Sequence, residues 1–208
     1  MKVTPRELKA LQRRDPALGK LLKRVPAFPN FPAEGGQSQF THYEALARSI
    51  TYQQVSTSAA ATIWKRASRL GNSRGFPKTH EVLAMSMEEM RAPGLSRNKV
   101  LAIKDLADHC EDGRLSLRSV ARRSDAEVIE ELVRVRGIGE WTAQMFLLFK
   151  LGRLDIMAPG DMALQEGMRR MDSLKDRPKP RELALRAEVW APLRSVASWV
   201  LWRSLDLD

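Results

Sequence analysis

One cysteine, Cys110, serves a chain of 208 residues, and the three histidines stand apart at positions 42, 80 and 109. A lone cysteine excludes an internal disulfide, a four-cysteine iron–sulfur site and a cysteine-rich zinc site. The histidines show neither HxH nor HxxxH spacing, so a histidine metal site is not expected either. Long apolar runs are also scarce. Stretches such as Met145 to Phe149 fall far short of the ~20 residues that cross a bilayer, and Met1 to Gly19 is too polar for a signal peptide. The expected place is the cytoplasm, with no membrane partner. No alternating apolar pattern of useful length occurs, which leaves no strand to predict. There is no GxxxxGK[ST] motif, and Gly137-Ile138-Gly139-Glu140-Trp141-Thr142 lacks the third glycine and the preceding strand of a dinucleotide fold.

What the chain does carry is positive charge: Lys and Arg number 35 against 25 Asp and Glu, a net +10. With 43% hydrophobic residues there is material for a core, so the excess charge belongs to a folded surface. A polyanion is the first partner to expect.

The patterning is helical almost throughout. Pro5 to Val25 reads as two short helices broken at Asp15-Pro16, crowded with Lys2, Arg6, Lys9, Arg13, Arg14, Lys20, Lys23 and Arg24. A solvated face and DNA contact both account for those charges. Pro26, Pro29, Pro32 and Gly35-Gly36 mark a loop. Helices are predicted from His42 to Gln54 and from Ser56 to Leu70. Ser86 with Glu89, and Ser124 with Glu127, read as capping boxes, and Ser96 opens a helix to His109. Arg177 to Pro180 is a loop before the apolar pattern of Leu183 to Leu205. The expected architecture is all-α: one compact unit, residues 1–208, of two interleaved helical lobes.

The most informative stretch runs from Asp125 to Met171. Val128, Ile129, Leu132 and Val133 predict one helix, Trp141 to Leu151 a second, and Val135-Arg136-Gly137-Ile138-Gly139 a tight turn between them. This is a helix-hairpin-helix over about 125–150. Its glycines free the backbone while Ile138 drops between the helices. Backbone N–H groups from Glu140 to Thr142 then face outward at a helix N-terminus, a ready site for phosphate oxygen. Farther on, Asp161 precedes Met162-Ala163-Leu164 and so heads another helix, where the dipole attracts negative charge; an N-cap is its ordinary role.

Taken together, Leu132-x-x-Val135-x-Gly137-Ile138-Gly139-x-Trp141-Thr142-Ala143, then Asp155-Ile156 and Asp161, closely resemble the helix-hairpin-helix DNA glycosylases, and among them the 3-methyladenine DNA glycosylase II type. Three further blocks agree: Ile50-x-x-Gln53-Gln54-Val55-Ser56, Gly94-Leu95-Ser96-x-x-Lys99, and Trp190-x-Pro192-x-Arg194-Ser195-x-Ala197 ending in Leu201-Trp202. The resemblance covers about Asp15 to Trp202 and implies a DNA-binding cleft between the lobes.

By position the resemblance makes Asp161 the catalytic aspartate, and puts Trp141, Trp202 and Met145 in the pocket for a flipped base. Gln54 falls where the family inserts a side chain into the gap that base leaves, with Tyr52 nearby. Gly137, Ile138, Gly139, Glu140 and Thr142 form the phosphate-binding hairpin. A monovalent cation on the Val135 and Ile138 carbonyls is implied there, and no other cofactor. Relatives that also cut the strand carry a lysine at the Trp141 position. Its absence implies a monofunctional enzyme that removes alkylated purines from damaged double-stranded DNA in the cytoplasm or nucleoid, as a monomer. Two positions depart from the pattern: Gly160 stands where many relatives have a second acid, and Met145 where an aromatic can stand. A second reading keeps the hairpin as a non-catalytic DNA-binding or lesion-sensing module.

Overall fold

A computed structural model describes residues 2–33, 39–71 and 75–207, so the predicted Gly35-Gly36 loop lies outside the described residues. Among those residues all regular structure is helical. The chain divides into two units, the first of them discontinuous: Met1–Gln37 with Leu147–Asp208 form unit 1, and Ser38–Phe146 forms unit 2.

Unit 1 begins with α1 (Pro5–Arg14), opened by a capping box in which Thr4 and Glu7 satisfy each other's backbone N–H. Asp15 ends α1 and caps α2 (Pro16–Leu22), its carboxylate accepting from the N–H groups of Ala17 and Leu18. Pro16 fits the first turn, where no N–H donor is needed, so the predicted break stands at Asp15-Pro16. All eight basic residues of this stretch are exposed. Asp15 itself is buried, where it accepts from the Trp190 indole at 2.7 Å and pairs with Arg186 at 2.6 Å.

Unit 2 opens with α3 (His42–Tyr52) and α4 (Thr57–Ala67), capped by Thr41 and Ser56. The first of these ends two residues before the predicted Gln54, which lies in the connecting turn. Next come α5 (Thr79–Ala84), α6 (Met87–Arg91) and α7 (Arg97–Glu111), the last two capped by Ser86 and Ser96 as predicted. The core forms where α3 and α5 pack on α7, burying Leu46 and Ile50 of α3, Val82 of α5 and Val100, Ile103 and Leu106 of α7. Trp64 of α4 lies flat on Phe76, with ring centroids 4.7 Å apart.

The helix-hairpin-helix closes unit 2 as α8 (Asp125–Leu132), capped by the Ser124–Glu127 box, and α9 (Glu140–Met145). The predicted α-helix to Leu151 is corrected here: Phe146–Lys150 continue as a π-helix. Phe146, Leu147 and Leu148 are all buried, a contiguous run whose periodicity cannot distinguish the two geometries.

The rest of unit 1 comprises α10 (Met162–Met171), α11 (Pro180–Arg186), a short 3₁₀ turn at Ala187–Trp190, and α12 (Arg194–Ser204). Pro180 starts α11 instead of ending the loop, because a first-turn proline loses no hydrogen bond. Helix α12 packs on α10 and α2 and buries Val196, Ala197, Val200 and Leu201 together with Ser195, Ser198 and Ser204. Those serines bond inward, and two of them build the candidate site.

Candidate active site and nucleic-acid interface

In unit 1, the loop from Asp155 to Gly160 delivers the candidate carboxylate, and its two ends are fixed separately. At its start the Arg194 guanidinium donates to both Asp155 oxygens, at 2.8 and 2.7 Å. This fork holds the Asp155 carboxyl below the usual carboxylate range. The Ser195 hydroxyl accepts from the Ile156 N–H at 3.0 Å and donates to the Arg153 carbonyl at 2.7 Å. Ser198 donates to the Arg194 carbonyl at 2.9 Å and lies 3.4 Å from that of Ile156. At the far end the Gln165 amide donates to the Pro159 carbonyl at 2.9 Å.

Asp161 caps α10 as its position predicts: Oδ1 accepts from the N–H groups of Ala163 and Leu164, both at 2.9 Å. The indole N–H of Trp202 donates to the same oxygen at 3.3 Å. Three donors from two elements therefore fix the carboxylate's orientation. Gly160, the departure from the two-acid pattern, is exposed, and a Cβ built there meets nothing within 4 Å.

Trp202 also stacks on Phe149, with centroids 5.7 Å apart and planes 22° from parallel. Phe149 meets Phe31 edge-on at 4.7 Å, and Phe31 in turn meets Phe28 at 5.4 Å and Trp199 at 5.8 Å. A half-buried aromatic wall thus ends against a carboxylate. Sequence reasoning missed Phe31 and Phe149. The first sits in a proline-rich loop without periodicity, and the second is hidden in an apolar run that reads as plain core.

Unit 2 carries the other candidate residues. Trp141 stands in the first turn of α9, 48% exposed, and Met145 follows one turn later, half-buried. Their i, i+4 spacing puts them on one helix face. In the hairpin Ile138 is buried, as predicted, and its N–H donates to the Val135 carbonyl at 3.1 Å. Gly137 has φ of +77°, and a Cβ there would come within 3.1 Å of the Ala102 methyl. The expectation that both glycines need conformational freedom is corrected at Gly139. That residue is extended, with φ −93°, and the space around it is open. Gly139 is the N-cap of α9 and offers no side-chain cap, so the first-turn donors of Glu140 to Thr142 are left to other acceptors. Thr142 is buried, whereas Glu140 and Trp141 beside it are exposed.

Gln54 is exposed and has φ of +52°. Tyr52, the last residue of α3, carries the Arg48 guanidinium 3.9 Å from its ring centroid. The neighbouring Gln53, quoted in the same sequence block but given no role there, donates from its side-chain amide to the Gly137 carbonyl at 2.9 Å and so joins the α3–α4 turn to the hairpin.

Comparison with known proteins matches residues 47–192 to the HhH-GPD superfamily of base excision DNA repair proteins. The chain belongs to this superfamily. The matched HhH-GPD region contains Gln54, the hairpin, Trp141, Met145 and Asp161, while Trp202 lies beyond it. Among curated members, DNA-3-methyladenine glycosylase 1 of Schizosaccharomyces pombe is 35% identical over 166 residues, 79% of this chain and 73% of that protein. A solved S. pombe 3-methyladenine DNA glycosylase in complex with abasic DNA superposes with a TM-score of 0.78 at 31% identity, covering 97% of this chain and 95% of that one. The Bacillus halodurans DNA-3-methyladenine glycosidase gives a TM-score of 0.81 at 30% identity, covering 98% and 90%.

Proposed function

We propose that this HhH-GPD protein is a monofunctional DNA glycosylase that hydrolyses the N-glycosidic bond of alkylated purines, of the 3-methyladenine and 7-methylguanine type, in duplex DNA. The observation that carries this reading is the Asp161 carboxylate, oriented by Ala163, Leu164 and Trp202 at the end of an aromatic wall. The names of its relatives support the same activity.

The residues suit the chemistry. A purine alkylated at N3 or N7 is cationic, and the quadrupoles of Trp202 and Phe149 attract such a ring once it is flipped from the stack. By their positions in the family pattern Trp141 and Met145, on one face of α9, are the further candidates for base recognition. As the bond from C1′ to the base nitrogen breaks, its electron pair leaves with the base, which departs neutral, and positive charge develops on the sugar. A carboxylate about 4 Å away stabilises that charge by roughly 4 kcal/mol at an effective dielectric of 20. Water then adds its oxygen to C1′ and gives up a proton, leaving an abasic site. With tryptophan at position 141 no amine there can form the Schiff base that strand cleavage requires.

The hairpin supplies the phosphate grip through backbone donors of Glu140 to Thr142. A monovalent cation would sit on the Val135 and Ile138 carbonyls; the Val135 oxygen takes one hydrogen bond from Ile138 and has a second lone pair to offer. Among the described residues no helix is long and apolar enough to cross a membrane. We place the protein in the cytoplasm, on the nucleoid, acting as a monomer.

The test is incubation with methylated duplex DNA. Free methylated purine and alkali-labile abasic sites, without direct strand breaks, are expected. Tight binding to the duplex with no base released would favour the non-catalytic reading.

A further inference from the structure

The α3–α4 turn that presents Gln54 is braced by α7 and by the hairpin. Gln54 is a non-glycine residue in the left-handed region, φ +52°, where an L side chain is disfavoured unless its surroundings hold it. Before it, Lys99 of α7 donates from Nζ to the Thr51 carbonyl at 2.7 Å, putting a cation on the negative end of α3. Adjacent to it, the Gln53 amide reaches the Gly137 carbonyl. That carbonyl belongs to the same peptide unit whose N–H, on Ile138, is bonded to Val135. One peptide of the hairpin is therefore fixed at its oxygen by the turn and at its nitrogen by the hairpin itself. A cavity of about 510 Å³ lined by Ile50, Gln53, Gln54, Lys99, Arg136 and Gly137 lies beside the brace.

We propose that Gln53 is a positioning residue that holds Gln54 rigid for insertion into the base stack and couples this insertion to the phosphate grip of the hairpin. This rests on the glycosylase reading. A side chain replacing a base must push against stacked neighbours, and on a compliant turn the backbone would yield before the stack opened. Anchoring the turn to the hairpin peptide passes the load to the element that grips the DNA. The brace matters only while a base pair has to be broken, because an unpaired lesion leaves the stack with little resistance.

The experiment compares single-turnover release of one methylated purine from a paired site and from an unpaired site in otherwise identical duplexes. In Gln53→Ala the ratio of paired to unpaired rates is expected to fall about tenfold, with the thermal midpoint unchanged. Gln53→Lys, which keeps a donor of similar reach, restores the ratio. Gln54→Ala lowers the ratio as well, and the double variant is no slower than Gln54→Ala alone, since one change acts through the other. An unchanged ratio in Gln53→Ala, a failure of Gln53→Lys to restore it, or additive losses in the double variant would each overturn the proposal. A wild-type protein that releases no base from either duplex overturns the glycosylase reading itself, a separate result.

Discussion

The indole N–H of Trp202 and the backbone N–H groups that begin α10 meet on one oxygen of Asp161. A residue near the C-terminal end of α12 and the first turn of α10 thus set the plane of the same carboxylate. The side chain is a helix cap and a candidate catalytic group at once, and substitution can separate the two roles.

Asn caps helices about as well as Asp, so Asp161→Asn should change stability by less than about 0.5 kcal/mol. Base release should fall by roughly a hundredfold or more, as when one preorganised electrostatic group is removed. Asp161→Ala should lose the cap as well, at about 1 kcal/mol. Chromatography of released base beside thermal melting measures both, and equal activity of Asp161→Asn and wild type would remove Asp161 from catalysis.

Replacing Trp202 with Phe keeps a ring to stack on Phe149 but deletes the donor to Asp161. A fall in base release of about tenfold is expected from losing one bond to a charged acceptor, while affinity for undamaged duplex stays the same. Trp202→Ala removes the stack too and should weaken capture of a lesion duplex more than of an undamaged one. Equal losses on both duplexes would mark Trp202 as structural.

The two hairpin glycines should respond differently. Gly137→Ala puts a Cβ into a left-handed residue against Ala102 and is expected to cost about 1–2 kcal/mol of stability. Gly139→Ala meets open space in extended backbone, so its melting should match wild type. Any defect of Gly139→Ala should show instead in DNA affinity, because the methyl group crowds the donors beside it. Denaturant unfolding and binding titrations read the two effects apart.

Acid should weaken unit 1 through Asp15. Its burial works against the charge, but bonds from Trp190, Leu18 and Arg186 outweigh that and depress its carboxyl below the ordinary 3.8. A depressed acid contributes stability that is present above its ordinary value and lost as pH falls through the lower folded value. Asp15→Asn should therefore cost about 2 kcal/mol at neutral pH, and less as acid titrates the wild type. An undiminished gap between the two proteins at pH 2 would contradict this account.

Much of this fold is legible in the sequence because its signals are local. Ser and Asp caps at Ser86, Ser96, Ser124 and Asp161 announce helix starts, and Asp15-Pro16 announces a break, each through bonds made within three or four residues. Features that escaped depend on distant partners. Nothing near Phe31 in the chain says that it will meet Phe149, and nothing near Gln53 says that its amide will find Gly137. The π geometry after Met145 escaped for another reason: Phe146, Leu147 and Leu148 are buried in succession, so they show no single face and carry no period to read.

Unit 2 is a continuous stretch, whereas unit 1 is assembled from the two ends of the chain. During synthesis the N-terminal residues of unit 1 emerge first but lack their partners until Leu147–Asp208 follow, while unit 2 is complete once Phe146 is out. Maturation thus has an order: the hairpin of unit 2 can form before Asp161 and Trp202 have left the ribosome. A nascent chain interrupted in that interval would carry the hairpin without the candidate carboxylate and the indole that orients it.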